Sequence, residues 1–88
     1  MTEGKTKSGF KYKINENIFR DWDFITLTDE IRNNGATMSD INKLITMVLG
    51  EKGFESLKEH VRKKLGYADH AMIENEFKEI CSSAQVKN

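Results

Sequence analysis

Apolar residues recur along this chain with two periods. Phe10, Tyr12 and Ile14 alternate with Lys11 and Lys13, the period-2 signature of an extended segment with one covered face. Further on the spacing becomes helical. Ile41, Leu44, Ile45, Val48 and Leu49 follow the i, i+3, i+4, i+7, i+8 rule of a core-facing stripe, with Ser39 as the expected N-cap and Asp40 in the first turn. Phe54, Leu57, Val61 and Leu65 make a second such stripe, with Glu59 placed to pair with Arg62 and Lys63 on the wet face. Ile73, Phe77, Ile80, Cys81 and Ala84 make another, on a helix that starts after Asp69. Gly50 and Gly66 are placed to end the helices before them, and the chain contains no proline to break a helix elsewhere.

The segment after Ile14 is less simple. A helix is expected to start near Asn15 or Asn17, either of which can cap, and to stop before Asn33-Asn34-Gly35. At roughly 100° per residue, Ile18, Trp22 and Ile25 cluster on one side of it, while Phe24, Leu27 and Ile31 fall on the other. A helix with two apolar faces either runs through the middle of a bundle or keeps one face for a partner.

These patterns predict a mainly α fold: a small bundle of about four helices, over 17–33, 39–49, 54–65 and 70–83, with a short N-terminal extended segment over 9–14. The single helical domain would span 9–84, between a disordered polar tail over 1–8 and a frayed C-terminus over 85–88. The extended segment has no evident partner strand within the chain.

Composition narrows the function. The 88 residues suffice for one small domain. Fourteen Lys plus Arg balance fourteen Asp plus Glu, which removes the sequence-independent attraction that nucleic-acid binders and polybasic membrane anchors rely on. The charge is nonetheless unevenly placed: +3 over residues 1–20, −4 over 21–40, +3 over 41–66 and −2 over 67–88. One cysteine, Cys81, can form neither an internal disulfide nor a zinc site, which fits a reducing, intracellular setting. The first residues lack the apolar core of a signal peptide, and no apolar run reaches the roughly 18 residues of a membrane span, so a soluble, unprocessed chain is expected.

Catalytic chemistry has little support. His60 and His70 belong to no cluster at metal-ligand spacing, and neither a nucleophile elbow nor a phosphate loop is present. Glu59-His60 and Asp69-His70 are sequence neighbours that point about 100° apart on a helix, so neither is an acid/base pair. Cys81 sits on an apolar stripe and reads as a packed thiol. No catalytic residue, cofactor or metal is expected. Helix 39–49, the Gly50-Glu51-Lys52-Gly53 turn and helix 54–65 resemble a helix-turn-helix in outline, which makes a small DNA-binding regulator the alternative function. Against it, Glu55 and Glu59 occupy the part of the second helix that would face phosphates.

What remains is a surface for other proteins. The candidate partner-binding residues are Phe10, Tyr12 and Ile14 on the extended segment, which could pair with the edge of another subunit, and Trp22 and Phe24 on the two-faced helix. For Phe10 and Tyr12, folding back onto the domain and pairing with a partner stand level. For Trp22, burial in the core stands ahead of service as an anchor.

Several words in order carry a resemblance: Gly9-Phe10-Lys11-Tyr12-Lys13-Ile14, Asp21-Trp22-Asp23-Phe24, Val48-Leu49-Gly50-Glu51-Lys52-Gly53, Leu57-Lys58-Glu59-His60-Val61-Arg62 and Phe77-Lys78-Glu79-Ile80. Over about residues 9 to 81 the chain resembles the small tail assembly chaperones of long-tailed bacteriophages and prophages of Gram-positive bacteria. The resemblance implies a mainly helical, non-catalytic protein of the host cytoplasm that coats the tape measure protein and keeps it soluble until tail tube subunits polymerise around it. It implies absence from the finished virion, self-association, and in some members a longer frameshifted form whose extension recruits tail tube protein. Nothing in this sequence resembles that extension, so the chain would be the short form.

Overall fold

The computed structural model describes the backbone of residues 1–86 and the side chains of residues 1–84. The chain opens with a β-hairpin of β1 (Thr2–Lys5) and β2 (Lys11–Ile14), continues through a 3-10 turn over Glu16–Arg20, and then forms three helices, α1 (Trp22–Asn34), α2 (Met38–Leu65) and α3 (His70–Val86). The class is mainly α, as the helical stripes indicate.

The hairpin corrects two expectations. Residues 1–8 are not a disordered tail, and the extended segment does have a partner: β1 and β2 are antiparallel, with Thr2 opposite Ile14 and Gly4 opposite Tyr12. β1 escapes notice because its partly covered residues are Thr2 and Gly4, which carry no hydrophobic signal. Their smallness is what the pairing needs. The Tyr12 ring lies across Gly4, where an added Cβ would come within 2.4 Å of the Tyr12 hydroxyl oxygen. The turn closes with Thr6 N–H donating to Phe10 O (2.9 Å) and Gly9 N–H donating to Thr6 O (2.9 Å).

The expected helix over 17–33 divides in two. Asn15 caps the 3-10 turn by accepting from Asn17 N–H (3.0 Å), and Asp21 then accepts from Phe24 N–H (3.1 Å) to start α1. A second cap inside the segment restarts the helix five residues late, and it runs through Asn34 to a cap at Gly35, one residue past the expected limit at 33. α2 begins one residue before the expected Ser39 cap. Thr37 and Asp40 form a capping box, each side chain accepting from the other's backbone N–H at 3.1 Å.

Two predicted helices, 39–49 and 54–65, are the limbs of α2, which gives three helices where four were expected. The break is real but takes one residue: Gly50 alone leaves the helical region (φ 78°, ψ 167°), a conformation nearly confined to glycine. Glu51, Lys52 and Gly53 resume the helix at once. Asp69 caps α3 as expected, accepting from Met72 N–H (3.0 Å). α3 extends through Val86, past the expected limit at 83, so the fray expected over 85–88 is contradicted at 85 and 86; residues 87 and 88 lie outside the described residues.

The core gathers Phe10, Tyr12 and Ile14 from β2 and the turn before it, Phe24 from α1, Ile45, Val48, Phe54, Leu57 and Val61 from α2, and Ile73, Phe77, Ile80 and Ala84 from α3. β2 lies against α2 and β1 against α3, while α1 packs on α2 and on the 3-10 turn. Leu65, expected in the stripe, is 46% exposed, since it is the last residue of α2 and the chain turns away at Gly66.

Candidate protein-binding face

The five residues marked for partner binding separate sharply. Phe10, Tyr12, Ile14 and Phe24 are all buried, Ile14 to 1% exposure, so they hold the domain together and offer no surface. For the extended segment, the fold-back reading is the one the structure adopts. Phe10 stands 5.5 Å from the His60 ring, and Phe24 meets Phe19 edge to face at 5.6 Å.

Trp22 goes the other way. Its side chain is 82% exposed, against the expectation of a core position, and Ile25 beside it is 51% exposed. The reason lies in what surrounds α1. Phe24, Leu27 and Ile31 turn toward the rest of the chain, Phe24 buried and the other two half-buried, and among the described residues nothing stands opposite the other side. Trp22, Ile25, Asp29 and Arg32, with Thr26 and Thr28, surround a hollow of about 290 Å³ on that outer side. A second, wider hollow of about 800 Å³ runs between α1 and the first limb of α2, with Leu27 and Met47 at its apolar base and Asp23 and Lys43 on its rim. An exposed tryptophan next to an exposed isoleucine is a typical anchor for another protein.

The structure also assembles a polar cluster with no local sequence signal. Thr6 and Ser8, from the hairpin turn, both donate to Glu76 Oε1 on α3 at 2.7 Å, and Ser8 Oγ lies 3.0 Å from His60 Nε2 on α2. Lys7 N–H donates to Glu79 Oε2 (2.8 Å). Seryl, imidazole and carboxylate groups in contact suggest a hydrolase triad, but the order is wrong. Ser8 commits its proton to Glu76, so His60 Nε2 must act as the donor, and among the described residues no carboxylate orients its other ring nitrogen. Glu76 is 7% exposed and takes both hydroxyl hydrogen bonds on Oε1, which makes the cluster a clasp between hairpin and helices.

Other titratable groups are placed for structure. Burial pushes the Cys81 thiol up to about 11, away from reactive thiolate character. A hydrogen bond from Lys58, 2.8 Å away, holds the Glu55 carboxyl below its ordinary value, and Lys58 also sits 4.4 Å over the Phe54 ring. Arg62 pairs with Glu59 as expected. The two limbs of α2 are joined through one residue, where a helix-turn-helix uses a turn of 3–4 residues. Among the described residues no cluster of His, Cys, Asp or Glu could hold a metal ion, and no helix is long and apolar enough to cross a membrane. Comparisons with protein-family models, with curated proteins and with solved structures return no significant match to this chain.

Proposed function

We propose that this chain is a non-catalytic phage tail assembly chaperone that binds the tape measure protein and keeps it soluble during tail morphogenesis, and that the outer side of α1 is its docking face. The observation that carries the reading is Trp22, 82% exposed beside Ile25 on a helix whose inner side belongs to the core. The resemblance in sequence supplies the partner. A tape measure is a very long, apolar-patterned helical chain, and exposed apolar patches of more than a few hundred Å² invite aggregation. One small face per copy covers little of it, so many copies would act together, each bound weakly. Tube subunits growing along the tape would displace them in turn, and no nucleotide hydrolysis is required.

Self-association, contact with tail tube protein through a longer frameshifted form, and action in the host cytoplasm belong to the same proposal. The DNA-binding alternative gains nothing from α2, where ion pairs along one helix neutralise Lys58 and Arg62.

The test is co-expression with the long helical protein encoded beside this chain. The wild-type chain should raise the soluble fraction of that protein and co-elute with it, and Trp22→Ala should weaken the complex by about 2 kcal/mol or more, about thirtyfold in affinity. A neighbour that is soluble alone, or that stays insoluble with the chain present, would remove the chaperone reading.

A further inference from the structure

We infer that the segment received by the outer side of α1 is a cationic amphipathic helix, one whose apolar stripe is flanked by lysine or arginine; this rests on the reading of that side as a docking face. The helical positions set the argument. At roughly 100° per residue, Asp29 falls between Trp22 and Ile25 around α1, and all three line the same hollow. Any helix that covers the two apolar side chains therefore also covers the Asp29 carboxylate. Among the described residues Asp29 takes part in no ion pair, and its one hydrogen bond is a long one from Asn33 Nδ2 (3.5 Å). Arg32, one turn further on, lines the hollow without pairing to it. A purely apolar partner would strand that charge away from water, whereas a partner that brings a cation to the same place would pair it.

The surroundings have the same sign. Asp21, Asp23, Asp29 and Glu30 are all exposed on or next to α1, against the exposed Arg20 and Arg32, which leaves two acidic charges in excess. A lysine or arginine of the partner can in addition lie on the open face of the Trp22 ring. Acidic charge around an apolar anchor raises the association rate of a basic partner and opposes an acidic one.

Trp22 is the single tryptophan of the chain, so its emission reports directly on this face. The probes are two synthetic helical peptides with one apolar stripe, flanked by lysine in the first and by glutamate in the second, titrated into the full chain. The lysine peptide should shift Trp22 emission to the blue and bind at least tenfold more tightly than the glutamate peptide. That preference should shrink in high salt and in Asp29→Asn, while Lys63→Gln, on α2, leaves it unchanged. Equal affinity for the two peptides would overturn the charge inference and leave the docking face standing. No emission change with either peptide would remove the docking face and the inference with it. A blue shift on concentrating the protein alone would show a second copy on the face and overturn the inference as well.

Discussion

The hairpin and α1 each carry three large apolar residues within a few positions of one another. In the hairpin, Phe10, Tyr12 and Ile14 are all buried in the one core that α2 and α3 complete, with β2 against α2 and β1 against α3. In α1, Phe24 is buried, while Trp22 and Ile25 stand in water. The difference comes from what lies opposite. A two-stranded sheet has one side to cover, and two helices cover it. α1 lies at the periphery, held by α2 and the 3-10 turn, so only its inner side finds partners. Residue type alone does not decide burial: the largest side chain in the protein is among the most exposed.

This contrast can be broken most forcefully at the hairpin. Ile14→Ala should cost about 2 to 5 kcal/mol, read as a lower urea midpoint, because it opens a cavity under a side chain that is fully enclosed. A loss below 1 kcal/mol would mean that the hairpin is not docked on the helices in solution. Glu76→Ala attacks the same docking through the clasp. Removing an acceptor shared by the Thr6 and Ser8 hydroxyls should cost about 1.5 to 3 kcal/mol. Faster amide exchange in β1 and β2 than in α3 would locate the damage at the hairpin.

Trp22→Ala should change stability by no more than about 0.5 kcal/mol, since its side chain leaves no cavity behind. A loss of several kcal/mol in urea denaturation would place Trp22 in a core and end the contrast. The smallest effect concerns His70, whose Nδ1 lies 3.0 Å from Glu74 Oε2 at the start of α3. That hydrogen bond raises its pKa above the ordinary 6.5. A raised folded value means the imidazolium favours the folded state, so its small contribution is complete below pH 6.5 and fades as pH rises through the raised value. His70→Ala should lower stability slightly below pH 6.5, leave it unchanged above the raised value, and so remove the pH dependence across that window, read from urea midpoints at a series of pH values.

Much of the fold was legible because helices announce themselves locally. The stripes of α2 and α3 sit at the expected places apart from Leu65, and α2 ends at Gly66 as expected, while Gly50 marks a break that the helix crosses. The strand β2 was legible by its alternation, but its partner was not, because β1 pairs through Thr2 and Gly4, whose role is to leave room for Tyr12. The clasp was illegible for another reason: Ser8 meets His60 and Glu76 across 52 and 68 positions, and no local pattern encodes such contacts. For α1 the sequence revealed two apolar faces without telling which one the core would take. The answer depends on where α2 lies, and only the assembled chain contains it.

The most direct test is hydrogen exchange on the chain alone and in the presence of its proposed partner, the tape measure protein. The account expects new protection over Trp22–Asn34, with Lys11–Ile14 unchanged because β2 is already covered within the chain. New protection confined to Lys11–Ile14, with α1 exchanging as in the free protein, would contradict it.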